Sequence, residues 1–180
     1  MRQLLLTALL LLAGCQLAPK GLDNRVMVAN GAEITLPALD WVEEPSSQQH
    51  QVLARFGDSH WQFIGELVLE RQQFRLTAVS ALGAWLFSGR YDGRQFSIAR
   101  SPLLPQQARP RYLMADLLLA LMPTGRLAPI LAEAGLRLEA DGQSRRIYQG
   151  EHLVIEITQS AQGLGFVHHQ RRYSFQVSYG

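Results

Sequence analysis

The sequence predicts a mainly β domain of the α+β class: one curved antiparallel sheet or incomplete β-barrel of about ten strands, with a helical lid. Three observations predict it. Short alternating segments separated by turn dipeptides fill residues 51–100 and 136–179. Between them stands a helix-length run, Arg111 to Met122, apolar on nearly every side. A short apolar leader ends on the only cysteine, so an exported domain must hold together by its core and not by disulfides.

The leader comes first in the chain. Arg2 supplies a positive start, Leu4 to Ala13 an apolar stretch, and Leu12-Ala13-Gly14 small residues before Cys15. This resembles a bacterial lipoprotein signal, in which the cysteine thiol is acylated and cleavage makes it the new N-terminus. The stretch is too short to cross a bilayer core, which takes roughly 20 residues. The expected organisation is therefore a signal peptide over 1–14, an acylated N-terminus and tether over 15–30, and a single domain over 31–180. Gln16 stands where an Asp would resemble an inner-membrane retention signal. The expected location is the periplasmic face of the outer membrane, reached through the lipoprotein export and sorting machinery.

Polar residues 16–24 read as tether, and Glu43 to Gln49 (EEPSSQQ) reads as loop. Asn30-Gly31 and Pro37 break a stretch of modest strand character that runs up to Trp41. Strands are expected at Gln51–Phe56, Trp61–Glu70, Gln73–Ser80, Ala84–Tyr91 and Gln95–Arg100. Gly57-Asp58, Arg71-Gln72, Leu82-Gly83 and Asp92-Gly93 separate them, and Asp-Gly is the strongest hairpin signal. Pro102, Pro105 and Pro110 interrupt the meander. Leu113, Leu117, Leu118 and Leu121 then recur at helical spacing until Pro123. A second helix over Leu127–Ala134 ends at Gly135. Strands resume at Leu136–Ala140, Arg145–Gln149, Leu153–Gln159, Gly163–His169 and Tyr173–Tyr179.

The net charge of +2, one unit less without Arg2, and the lack of a Lys/Arg cluster argue against a nucleic-acid partner. Arg145-Arg146 and Arg171-Arg172 would point to opposite faces if they lie on strands. No Gly-x-Ser-x-Gly, P-loop, Gly-x-Gly-x-x-Gly or His-Glu-x-x-His motif occurs, so no enzyme, metal or cofactor is expected. Asp58-Ser59-His60 and His168-His169 read as polar surface residues, because neighbours on a strand cannot converge on one atom. Asp116 is flanked by apolar residues and needs a partner such as Arg146, or else presents a polar point to a ligand headgroup.

A helix as apolar as Met114–Met122 must bury almost its whole circumference. Sheet and helix either fill each other's space or leave an apolar cavity beneath a lid. The inward candidates are Phe63, Leu67, Phe74, Leu76, Phe87, Phe96 and Phe175 on strands, with Leu117 and Leu121 on the helix. Met114 and Met122 would let such a lid adapt.

The run Trp61–Gly93 with Leu82-Gly83, the Ser101-Pro102-Leu103-Leu104-Pro105 loop and the helix Met114-Ala115-Asp116-Leu117-Leu118-Leu119-Ala120-Leu121-Met122-Pro123 resemble a family of uncharacterised bacterial lipoproteins. That family is known only as a domain of unknown function, and its members often accompany gene clusters for aryl-polyene lipids. Leu118 stands where that pattern commonly has Gln, and Met122 where it has Trp. More remotely, leader, sheet and lid are similar to the LolA and LolB lipoprotein-localisation proteins, which hold acyl chains in an incomplete barrel capped by helices. The resemblance implies a monomeric outer-membrane lipoprotein that binds or transfers a membrane lipid or acylated molecule. Exposing a 16-carbon chain to water costs about 12 kcal/mol, which an apolar cavity would offset without any catalytic group. The alternative is a ligand-free interaction or assembly lipoprotein of an envelope complex.

Overall fold

Each turn dipeptide read from the sequence separates two antiparallel strands in the computed structural model, which describes residues 21–179. Cys15 and the expected leader lie outside the described residues. The order is β1 (Leu22–Asp23), β2 (Arg25–Ala29), β3 (Ala32–Thr35), β4 (Ser46–Phe56), β5 (Ser59–Glu70), β6 (Gln73–Ser80), β7 (Trp85–Tyr91) and β8 (Gln95–Arg100). Two helices follow, α1 (Pro110–Leu121) and α2 (Thr124–Glu133). The chain ends with β9 (Arg137–Asp141), β10 (Ser144–Gln149), β11 (His152–Ser160), β12 (Gly163–His168) and β13 (Tyr173–Ser178). The Asp92-Gly93 hairpin shows the local cause: Asp92 Oδ1 accepts the N–H groups of Arg94 and Gln95, both at 2.9 Å, and Gly93 takes φ 87°.

Eleven strands make one antiparallel sheet in the order β1-β8-β7-β6-β5-β4-β13-β12-β11-β10-β9, while β2 and β3 pair separately. The large sheet does not close, and β1 and β9 are its edges. One helix shows how strongly it curves. Met114 of α1 sits on Gly89 of β7, and the backbone of Ala120 and Met122, at the end of the same helix, accepts Arg145 of β10. Seven inter-strand steps of about 4.8 Å would place β7 and β10 roughly 33 Å apart on a flat sheet. A helix is only about 10–12 Å across, so the sheet wraps around it.

The wrap explains the composition of α1. Leu113 to Ala120 are all buried, Asp116 among them. Gly89 permits the close approach, since an added Cβ there would overlap the Met114 sulfur. The inner face of the sheet supplies alternate residues: Phe74, Leu76 and Ala78 on β6, Phe87 and Tyr91 on β7, Tyr173, Phe175 and Val177 on β13. Phe63 meets Phe87 edge-on at 6.3 Å, and Phe166 stacks on Phe175 at 4.8 Å.

Two readings from the sequence differ from this architecture. Residues 22–30, expected as tether, already contribute β1 and β2, and Val26 and Val28 are buried. Arg111 ties this segment to α1 through Asp23 and the Arg25 carbonyl, while Gln149 donates to Asn30 O at 2.8 Å on the other side. The polar run Ser46–Gln49, expected as loop, is the start of β4 and pairs with Leu69–Glu66 of the long neighbour β5. Pairing overrode weak local propensity there. Arg171-Arg172 fall between the last two strands, as the expected strand bounds leave them, in the turn before β13, with Arg172 at φ 51°.

Candidate functional site

The nine apolar candidates do not line one common hollow among those seen in the described residues. Phe74, Leu76 and Phe96 belong to the closed core, and Phe175 is buried against Phe166. Two apolar clefts open at opposite ends of α1. The one at its C-terminal half, about 90 Å³, gathers Leu67, Leu117 and Leu121 with Leu69, Leu164 and Val177. The one at its N-terminal end, about 30 Å³, is floored by Phe63 and Phe87 and rimmed by Trp61, Leu104 and Pro105. Thus the structure brings Leu67, Leu117 and Leu121 together, and Phe63 and Phe87 together, but not the nine as one wall. A larger hollow lies elsewhere. It is an open saddle of about 610 Å³ with a mixed lining, in which Leu53, Trp61 and Val167 stand beside Arg55, Gln62 and Gln176, and of the nine candidates only Phe175 borders it.

Asp116 marks a buried polar cluster between α1, the β12–β13 turn and the β2–β3 hairpin. Its partner is Arg171, at 3.0 and 3.3 Å, and not Arg146, which pairs with Glu156 at 3.2 Å. Arg171 also donates to the Met27 carbonyl and lies 4.2 Å over the Tyr112 ring. His168 is a correction to the surface reading: it is buried, its Nδ1 accepts the Arg171 N–H at 3.3 Å, and its ring packs beside the cluster. The Tyr173 hydroxyl is buried without a hydrogen-bond partner among the described residues, and burial holds its pKa well above the usual value.

Burial shifts both acid and base here, and their effects on stability oppose each other. Desolvation raises Asp116 from 3.8 to about 7 against the pull of Arg171. Between those values the folded state holds a proton that the unfolded state has lost, so stability falls as pH rises. Desolvation, then the Arg171 charge, lowers His168 from 6.5 to about 3. There the unfolded state holds the extra proton, so stability rises with pH. Across about pH 4–6.5 the two slopes, each near 1.4 kcal/mol per unit, cancel. Asp116→Asn is expected to uncover the histidine slope, so that urea midpoints fall on acidification from pH 6.5 to 4.5 more steeply than in the wild type. Parallel pH profiles of the two proteins would refute this account.

Arg145 is the second buried charge. It donates to Met122 O at 2.7 Å and to Ala120 O, satisfying the open carbonyls at the end of α1. The sequence carried one signal for this residue: it is half of an arginine doublet on a strand, and the two members face opposite ways. Alternation does not say which member faces in, and the expected partner of Asp116 was Arg146; for Arg171, on a turn, the rule does not apply. Tyr173 gave no signal beyond alternation.

Among the described residues, no three His, Cys, Asp or Glu side chains gather as a metal site, and no helix is long and apolar enough to cross a membrane. No curated protein matches the chain. A family model described as a protein of unknown function, DUF3261, matches residues 47–179, from the second residue of β4 to the residue after β13. The chain belongs to the DUF3261 family.

Proposed function

We propose that this protein is a carrier or receptor for acylated molecules, held by lipid at Cys15 on the periplasmic face of the outer membrane. The observation that carries the reading is an apolar helix wrapped by an unclosed sheet, with an apolar cleft at each end. That arrangement fits the resemblance to the LolA and LolB proteins. At about 90 Å³ the larger cleft is smaller than an ordinary small-molecule pocket of roughly 300 Å³ or more. An acyl chain therefore enters by displacing the C-terminal half of α1 from the sheet, and flexible Met114 and Met122 refill the contacts. Exchange makes and breaks no covalent bond, so the reading asks for no catalytic residue.

The surface supports the membrane part. Leu82 is 96% exposed, Leu103 65% and Trp85 42%, all at the end where β6 and β8 finish and β7 begins. Leu22 pairs antiparallel with Phe96, so β1 begins on the side on which β8 ends. The start of β1 and the exposed apolar side chains thus share one end of the molecule.

A second reading, a ligand-free assembly lipoprotein, is favoured by the burial of Phe74, Leu76, Phe96 and Phe175 in one core cluster. Binding separates the two. Delipidated full-length protein titrated with a fluorescent fatty acid is expected to saturate, and wild-type protein but not Cys15→Ala is expected in the outer-membrane fraction. Absence of saturable binding would remove the carrier reading and leave assembly. Recovery of Cys15→Ala with the outer membrane would remove the anchor.

A further inference from the structure

The apolar cleft at the end of α1 shares Leu121 with a second cleft of different character, about 190 Å³, lined by Arg145, Gln143, Gln159 and Thr124. Arg145 is only 9% exposed, yet its two hydrogen bonds go to neutral carbonyls and no carboxylate pairs with it among the described residues. Burial alone lowers its pKa, with no acid acting in the other direction. A guanidinium has five N–H donors, so two carbonyls leave it unsaturated. Asp141, at the end of β9, lines a separate groove that Gln143 and Gln159 also border, and not this cleft. The start of α2 borders the same space. Its N-cap is Pro123, no side chain caps its first N–H groups, and nothing crowds Gly125.

We infer that the two clefts form one amphiphile site, in which Arg145 takes an anionic head, carboxylate or phosphate, and the chain runs past Leu121 toward Leu117 and Leu67. This rests on the carrier reading and adds the ligand class. A charged acceptor on a buried guanidinium is worth about 1.5–3 kcal/mol more than none, or roughly ten- to a hundredfold in affinity. A neutral head would forgo that gain and leave the cation desolvated.

The test holds the chain constant and varies the head. Pyrene-labelled dodecanoate bound to delipidated full-length protein at pH 8 is displaced with dodecanoate, dodecyl phosphate or dodecanol. Dodecanoate or dodecyl phosphate is expected to displace it at a concentration at least about tenfold below that of dodecanol. The better of the two identifies a fatty-acid or a phospholipid head. Arg145 also caps α1, so the paired variant uses the exposed rim. Gln143→Glu with Gln159→Glu should weaken the probe and, once displacement is corrected for the probe's own affinity, weaken both anions and leave the dissociation constant of dodecanol unchanged. Equal displacement by all three, or equal weakening of all three in the variant, overturns the headgroup site while the carrier reading stands. Failure of the probe itself to bind defeats both.

Discussion

Arg171→Met is expected to destabilise the domain by about 3–5 kcal/mol at pH 8, the cost of leaving a buried carboxylate without its cation. Three contacts go at once: the paired bonds to Asp116, the bond to the Met27 carbonyl and the stacking on Tyr112. These join α1, the β12–β13 turn and the β2–β3 hairpin, so the loss is shared by the elements that enclose the helix. The cost depends on pH with a fixed sign. Asp116 already titrates near 7, and without Arg171 it stays neutral to higher pH. The variant is therefore expected to lose least at pH 5 and most at pH 8. The double variant Arg171→Met with Asp116→Leu should recover most of the loss, because a buried pair exchanged for apolar groups is often neutral. Urea unfolding at the two pH values checks all three statements. A loss below about 1 kcal/mol at pH 8, or a double variant no better than the single, would show that the pair does not hold the helix in place.

The parts of this fold that a single chain could disclose are those where one local rule decides. Asp92-Gly93 fixes a hairpin by itself, and alternation puts Phe74 and Leu76 inward because the side-chain period of a strand is two. Helix α1 was legible as a buried helix because Met114–Met122 leaves no polar face to point at water. What stayed hidden depends on distant partners. Ser46–Gln49 are strand only because β5 runs long enough to pair with them. Leu22–Asp23 look like tether until β8 offers an edge. The partner of Asp116 depends on which turn reaches α1, and Arg171 reaches it across 55 residues of sequence. His168 looked like surface because adjacent histidines on a strand face opposite ways, but that rule says only that one of the two must face in. The candidate site shows the same division. The nine apolar positions all lie in or against the core, as alternation implies. Their separation into two clefts and a buried centre depends on the path of α1, which no periodicity encodes.

Phe87→Asn and Leu121→Asn are therefore expected to behave differently, although the sequence placed both residues in one class. Phe87 is enclosed by the sheet and α1, with Phe63 edge-on against it. Deleting its ring costs about 3–5 kcal/mol, and the amide left in apolar surroundings adds roughly 1–3 more. That is most of the stability of an ordinary domain, so Phe87→Asn should unfold at or below room temperature or fail to accumulate. Leu121 is half-buried in the last turn of α1 and forms part of the cleft wall. Its amide can reach water there, so the expected loss is about 1–2 kcal/mol. The same change puts a polar group where an acyl chain has to pass, and fluorescent fatty-acid affinity should drop about tenfold, the worth of roughly two buried methylenes. Melting curves and probe titrations on one preparation of each variant decide the matter. If Leu121→Asn melts as low as Phe87→Asn, the C-terminal end of α1 is core and offers no path for a ligand. If it melts normally and binds probe as the wild type does, the path lies elsewhere, and the cleft floored by Phe63 and Phe87 becomes the one to open.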